Sequence, residues 1–226
     1  MGLKSAPSVV QASIKIFLLV SGTNLVLFGV YWFLQDEWNC LRLSLLANVV
    51  LFSCSAGFYP ENILAAVSSG GLGSVFGIGL LLLSVGANGG FWAFGLYLAV
   101  LAVFHWSEFV IVGISNPQCL TLDSFLLNHS KEYWLAAGSS WLEFWIEWFL
   151  FKTWKSQFLI SVLGLAVCLA GEIARKGAML TAGSNFTHVV QFRRRHEHRL
   201  VTHGVYSWCR HPSYVGWFLW SIGTQV

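Results

Sequence analysis

The sequence predicts an all-α, polytopic integral membrane protein, and three observations carry that prediction. Hydrophobic residues make up 56% of the 226 and charged residues only 10%, with a mean hydropathy of +0.64, well outside the range of soluble domains. The apolar residues gather into six runs long enough, or nearly so, to cross a hydrocarbon core of ~30 Å, which takes about 20 helical residues. Thirteen Lys and Arg against ten Asp and Glu leave a net charge of +3. That whole-chain excess is too small to suggest nucleic acid, and the partner implied is the lipid bilayer.

Six transmembrane helices are expected at about 16–34, 43–59, 70–87, 91–114, 133–151 and 156–174, with a truncated seventh from Tyr214 to Val226. The first run is ~20 residues long with no small-residue cleavage site after it, so it reads as a span and not as a signal peptide. The first two spans are joined through 35–39 and the third and fourth through 86–90, links short enough to require tight turns. Gly70, Gly73 and Gly77 give the third span a small-residue face for close helix packing. They do not make a nucleotide site, because no strand precedes them and Gly-x-Gly-x-x-Gly is not matched. The five cysteines are scattered through or beside apolar runs, without disulfide or metal-ligand spacing.

Orientation follows from the cations beside the spans. Lys4 and Lys15 precede the first span, Asp36 and Glu37 occupy the first turn, and the largest basic cluster follows the sixth span. An even number of crossings places the N-terminus and the 175–213 segment together in the cytosol, with Lys152 and Lys155 arguing the other way. The sequons at Asn128 and Asn185 are then expected to carry no glycan. Inside the spans, ionised groups cost at least ~2.5 kcal/mol at mid-bilayer. His105 and Glu108, three apart, share a helix face and could pair. In the fifth span Trp141, Trp145 and Trp148 form one stripe and Glu143 and Glu147 fall opposite. That pattern suggests a lipid side of tryptophans and a protein-lined polar side. The two acids either satisfy interface and packing hydrogen bonds or stand near a substrate.

The chemistry concentrates in the last quarter. Residues 1–175 read as a transmembrane scaffold and 176–226 as a cofactor-binding segment with the start of a last helical hairpin. Between 175 and 211 lie seven of the thirteen cations and five of the seven histidines. Arg193, Arg194 and Arg195 suit a solvated loop against anionic headgroups. The histidines lack His-Glu-x-x-His spacing, and no metal is expected. Gly204 suits a positive φ or a close backbone approach. Pro212 stands where a helix begins, since a missing N–H costs nothing there. Such a helix start beside Arg210 and His211 favours an anion such as a carboxylate.

The run Leu-Val-Thr-x-Gly-x-Tyr-Ser-x-x-Arg-His-Pro-Ser-Tyr-x-Gly-Trp, from Leu200 to Trp217, closely resembles the isoprenylcysteine carboxyl methyltransferase family of the endoplasmic reticulum membrane. The resemblance reaches back through Gly183-Ser184-Asn185-Phe186-Thr187-His188 and Gln191, and forward through Trp220 to Gln225. The Arg-His-Pro core alone is shared with other membrane methyltransferases. The resemblance implies methyl esterification, with S-adenosyl-L-methionine as cofactor, of the prenylcysteine carboxylate left by Cys-a-a-X processing, on proteins such as small GTPases. By motif it implies cofactor contacts at Gln191, His198, Arg199, Leu200, Val201, Tyr206, His211, Pro212, Ser213 and Tyr214. Arg199 departs from the family pattern, so its contact is expected through the backbone. Glu143, Glu147, Arg210 and Trp217 are candidates on the substrate side. The family also carries an Arg for the substrate and a Glu for the cofactor in a last helical hairpin and tail. These are not in this sequence, which implies a chain incomplete as a catalyst.

A chain-terminal carboxylate, with a pKa of ~3.5, is already ionised at cytosolic pH, so no general base is expected. His203 and His211 then read as positioning groups. A phospholipid-amine methyltransferase would share the cofactor but need a base for its acceptor. A transporter or helical scaffold, suggested by Glu108, Glu143 and Glu147, predicts inverted repeats, whereas the polar residues here sit at one end of the chain.

Overall fold

The computed structural model describes residues 8–34, 37–58, 62–85, 91–127, 130–151, 157–189 and 198–225. The expected turns around 35–36 and at 86–90, together with Lys4, Asn128, Lys152, Lys155, Gln191, Arg193, Arg194, Arg195, His196 and Glu197, fall outside them. Among the described residues the chain is helical throughout, without strands. The long helices are α1 (Ser8–Leu34), α2 (Glu37–Phe58), α3 (Ile63–Val85), α4 (Trp92–Ser115), α5 (Lys131–Leu150), α6 (Phe158–Ala182) and α7 (Pro212–Gly223). Four stretches are long and apolar enough to cross a membrane on composition alone: Ser8–Val30, Ile63–Leu83, Trp92–Ser115 and Phe158–Asn185. The apolar run of α2, Arg42–Cys54, is shorter, and α5 carries Glu143 and Glu147.

Several helices outrun the expected spans. α1 begins at Ser8 and α3 at Ile63, and α6 runs on to Ala182. Ala178, Met179 and Leu180 continue the helix past the point where hydropathy falls, and it stops at Gly183, whose φ is +54°. That extension carries Arg175 and Lys176 along a helix instead of into a polar loop.

Packing runs in sequence through α1, α3, α4, α6 and α7, with α2 against α1 and α3. The small-residue face of α3 meets α1, as its glycines require. A Cβ on Gly73 would lie 3.0 Å from Val20 Cβ, and one on Gly77 would overlap the Asn24 side chain. Phe17 of α1 stacks on Trp106 of α4 at 4.1 Å, and Phe109 stacks on Phe125 at 4.0 Å, closing the core between α1, α3, α4 and the turn at Leu122–Phe125.

α5 stands apart, with no buried residue. Ser130 caps it, its hydroxyl accepting from the Tyr133 N–H at 3.1 Å. The tryptophan stripe expected to face lipid instead faces α4. Trp145 and Trp148 lie against Phe91, with centroids 6.0 and 4.8 Å away, Phe94 stacks on Phe144 at 5.1 Å, and the Trp141 indole N–H donates to the Tyr97 hydroxyl at 3.0 Å. The reason is matched spacing, because Phe91 at the cap of α4 and Phe94 within it lie three residues apart as Trp145 and Trp148 do on α5.

α6 and α7 touch backbone to backbone. A Cβ on Gly171 would come 2.6 Å from Trp220 N, and one on Gly216 would come 2.6 Å from both Gly171 O and Arg175 N. Since the obstacles are main chain, neither can move aside cheaply. Gly171→Ala or Gly216→Ala is therefore expected to destabilise the protein by about 2 kcal/mol through overpacking, read as a lowered unfolding temperature in detergent. Gly138→Ala, where a Cβ meets nothing within 4 Å, is expected to match the wild type; equal stability of all three variants would refute the close contact.

Candidate functional site

Glu108, on α4, is 0% exposed. A carboxylate at that depth requires charged donors, and α6 supplies them. Arg175 binds it through two nitrogens, Nε to Oε1 at 2.6 Å and Nη2 to Oε2 at 2.9 Å, a bidentate pairing suited to a planar fork. Lys176 Nζ also donates to Oε1, and His188 Nε2 lies 2.7 Å from Oε2. Both cations lie over the Phe104 ring, with Lys176 Nζ 4.9 Å from its centroid.

The pairing of His105 with Glu108 suggested by their spacing does not occur. His105 Nδ1 lies 2.8 Å from Phe125 O and Nε2 lies 2.7 Å from the Tyr133 hydroxyl. A carbonyl only accepts, which assigns the proton to Nδ1 and makes Nε2 the acceptor of Tyr133. His105 thus ties the start of α5 to α4, while stronger charged donors take Glu108.

The third nitrogen of Arg175 reaches the start of α7. Its Nη1 donates to Ser213 Oγ at 3.1 Å and toward Ser213 O at 3.4 Å. Pro212 occupies the first helical position with His211 as N-cap, and the N–H groups of Tyr214 and Val215 both donate to His211 O at 3.1 Å. The His211 and Tyr214 rings meet edge to face, 6.2 Å apart. Before this helix, residues 204–207 form a 3-10 turn in which Gly204 has a φ of +58°. A Cβ there would lie 3.0 Å from Thr181 Cγ2, so Gly204 meets both a backbone and a spatial requirement. Tyr206 lies on this turn, and burial pushes its phenol above the ordinary value. It is therefore a neutral hydrogen-bond donor near pH 7.

His198, Arg199 and Leu200 are exposed and Val201 is half-buried. The Arg199 N–H donates to Asn185 Oδ1 at 2.8 Å, while Asn185 Nδ2 donates to Ala182 O at 3.2 Å. Both amide atoms of this sequon asparagine are thus engaged within the fold. The structure gathers His211, Pro212, Ser213 and Tyr214 at one helix start and joins Arg199 to the end of α6. Arg210 is exposed, and Trp217 packs with Phe104, Cys168 and Trp220.

Glu143 and Glu147 lie elsewhere. They line a cavity of ≈ 600 Å³ with Tyr97, Trp141, Leu165 and Thr224, walled by α4, α5, α6 and the end of α7. Ser213 and Thr224 are eleven residues apart, about 16 Å at ~1.5 Å per helical residue. Among the described residues no group of three or more His, Cys, Asp or Glu could hold a metal.

The fold that carries this site is shared with a solved structure. A solved structure of the eukaryotic intramembrane Ras methyltransferase ICMT (isoprenylcysteine carboxyl methyltransferase) superposes with a TM-score of 0.89 at 40% identity, covering 97% of this chain and 79% of that one. The chain belongs to the isoprenylcysteine carboxyl methyltransferase family. The model of that family matches residues 162–226, which include Arg175, Asn185 and the whole of α7. The protein-S-isoprenylcysteine O-methyltransferase of Tribolium castaneum is 51% identical over 170 residues, 75% of this chain and 60% of that protein. That of Xenopus laevis is 54% identical over 162 residues, 71% and 55% of the two chains. That of Homo sapiens is 51% identical, covering 75% and 59%. The chain thus spans 55 to 60% of the length of these relatives.

Sequence reasoning did not foresee the Glu108, Arg175, Lys176 and His188 cluster. The signal was a lone carboxylate in an apolar run and two cations that the last turns of a helix could bring to its depth. Glu108→Met is expected to cost about 3–5 kcal/mol, because it leaves Arg175 buried without its counter-charge. Glu108→Met with Arg175→Met should recover much of that loss, since Lys176 retains Glu172 at 3.4 Å. Unfolding temperatures in detergent decide it, and a double variant with simply additive losses would refute the pairing.

Proposed function

We propose that this chain forms part of a methyltransferase that esterifies the C-terminal carboxylate of a prenylated cysteine, with S-adenosyl-L-methionine as methyl donor. The observation that carries the reading is the Arg210-to-Gly216 helix start, matched to the family motif and clamped through Ser213 to the buried Arg175. The chemistry of the donors fits the cofactor. His198, His203 and His211, the phenols of Tyr206 and Tyr214, and the exposed backbone at 198–201 offer partners for its carboxylate, ammonium, ribose and purine. Gln191 and Pro212 complete the proposed contacts. When bound, the cofactor supplies an electrophilic methyl group on a sulfonium.

The protein's own task is then orientation and exclusion of water. The acceptor is a carboxylate already ionised at neutral pH, so no side chain need remove a proton, and Tyr206, a neutral phenol at that pH, serves as a donor. Holding carboxylate oxygen, methyl carbon and sulfur in line contributes ~7 kcal/mol or more. Joining a negative nucleophile to a positive sulfonium loses charge, so a site shielded from water favours the reaction. Tyr206, Tyr214 and Trp217 offer aromatic faces to the cation.

The prenyl tail enters from the bilayer and lies in the cavity walled by α4, α5, α6 and the end of α7. The ~16 Å of α7 between Ser213 and Thr224 is a length an extended prenyl chain covers. In this reading residues 176–226 carry the cofactor, residues 1–175 form the membrane scaffold, and Arg210, Glu143 and Glu147 border the substrate path. The N-terminus and the cofactor segment face the cytosol of an endoplasmic reticulum membrane, where prenylated proteins such as small GTPases are met.

The test is to incubate the full-length protein in liposomes with labelled S-adenosyl-L-methionine and either a prenylated cysteine or a lipid amine. Base-labile methyl ester on the first alone is expected, with activity reduced at least a hundredfold in His211→Ala and Tyr214→Ala. Label on the lipid amine alone would establish the N-methyltransferase alternative, and undiminished variants would remove these residues from the site.

A further inference from the structure

The two stretches assigned to the cofactor, 198–201 and 211–214, are held in place by different means. The second is fixed by Arg175 through Ser213. Among the described residues, the first is tied back to the body of the protein by a hydrogen bond from the Arg199 main-chain N–H to the Asn185 side-chain Oδ1 at 2.8 Å.

That acceptor is itself rigidly aimed. Asn185 Nδ2 donates to Ala182 O, at the last residue of α6, at 3.2 Å. With the nitrogen engaged, the planarity of the amide turns Oδ1 toward Arg199. The loop carrying Asn185 is held from the opposite side. Asn116, just past the end of α4 and 4% exposed, donates from Nδ2 to Ser184 O at 3.1 Å and to Phe186 O at 2.9 Å. A single buried amide thus grips the carbonyls immediately before and after Asn185. The Phe186 N–H donates to Gly183 O at 3.0 Å and closes the turn. Two helices therefore converge, through two asparagines, on the backbone that starts the cofactor segment.

We propose that Asn185 is a positioning residue for the cofactor segment: its amide oxygen fixes the backbone of residues 199–201, and Asn116 holds the loop that aims it. The inference rests on the reading of 198–201 as cofactor-binding. It also explains how Arg199 fits a position where its side chain departs from the family pattern, because the tie uses only main chain.

The consequence is pre-organisation. If the segment adopts its binding shape for only a fraction of the time, the apparent dissociation constant rises by the inverse of that fraction. Loss of one solvent-exposed hydrogen bond from a backbone N–H weakens the hold by roughly twofold to fivefold.

The test uses the full-length protein in nanodiscs, comparing wild type, Asn185→Ala, Asn185→Asp and Thr187→Ala. S-adenosyl-L-methionine binding is measured by calorimetry, KM and kcat with a prenylcysteine, and amide exchange of 198–201 without cofactor. Asn185→Ala is expected to raise the cofactor Kd and KM roughly twofold to fivefold, to leave kcat within about twofold, and to speed exchange at 198–201. Asn185→Asp keeps the acceptor oxygen but loses the donor to Ala182 O, and should recover part of the affinity. Thr187→Ala removes the sequon without touching the tie and should bind as wild type.

Wild-type affinity and exchange in Asn185→Ala would overturn the proposal. So would parallel losses of kcat, affinity and unfolding temperature in Asn185→Ala and Asn185→Asp alike, which mark a merely structural role. A wild type that binds no S-adenosyl-L-methionine would overturn the cofactor reading itself, and this inference with it.

Discussion

A carboxylate within a membrane helix must be neutralised where it stands, and Glu108 obliges the rest of the polar half of this protein to come to it. The idealised cost of burying such an ion is of order 20 kcal/mol before partners are counted. Arg175 and Lys176 can meet that demand only because α6 stays helical past the end of its hydrophobic run, delivering both cations to the level of α4. With Glu172 beside Lys176, two carboxylates face two cations, and His188 reaches Glu108 from the loop beyond α6. Arg175 has five donors in a fixed fork; once Nε and Nη2 are taken by Glu108, Nη1 is directed to Ser213. The electrostatic requirement of α4 thereby sets the position of α7, and a lysine at 175 could not satisfy both partners at once.

The other half of the bundle relies on neutral polar pairs and on glycine. Asn24 and Asn48 exchange amide hydrogen bonds at 2.9 and 2.7 Å between α1 and α2, and Ser69 donates to Ser13 at 2.7 Å between α3 and α1. Where surroundings are apolar on every side, such bonds fix which helices pair and in what register. Gly77 belongs to the same device, because only a residue without Cβ leaves room for the Asn24 amide at the crossing. This part of the molecule carries little reactive chemistry, yet it holds Phe17 against Trp106 and so braces the opposite face of α4 from Glu108.

What was legible in the sequence divides along physical lines. Hydropathy located the helices in order, since the bilayer selects for apolar length, but it missed their ends. Ser8–Gln11 and Ala178–Ala182 are helical although they lie outside the apolar runs expected at 16–34 and 156–174. Gly204 and Pro212 were readable because their requirements are local, a positive φ and a missing N–H. The tryptophan stripe of α5 was misread because lipid and protein are both apolar to an indole, so periodicity marks a face without saying what covers it. Glu108 and Arg175 are 67 residues apart, and depth in the membrane, not sequence spacing, brings them together. The tie from Asn185 to Arg199 left no compositional trace, because a loop asparagine that aims its amide at a backbone N–H resembles any other.

The two ends of α7 connect these observations. Its first turn holds the motif and the Arg175 contact, while Gly223 and Thr224 border the apolar cavity. Between them, Gly216 lies with backbone against Gly171, and Trp220 stacks on Phe104 at 4.2 Å, the ring over which Arg175 and Lys176 are held. A helix fixed by charge at one end and by main-chain contact along its length cannot tilt without disturbing both. The distance between the motif and the cavity is thus set by a rigid element instead of a loop. Under the proposed function, an amphiphile whose reactive carboxylate and apolar chain must be placed at the same time needs a ruler of that kind, and the α6 and α7 contact would provide it.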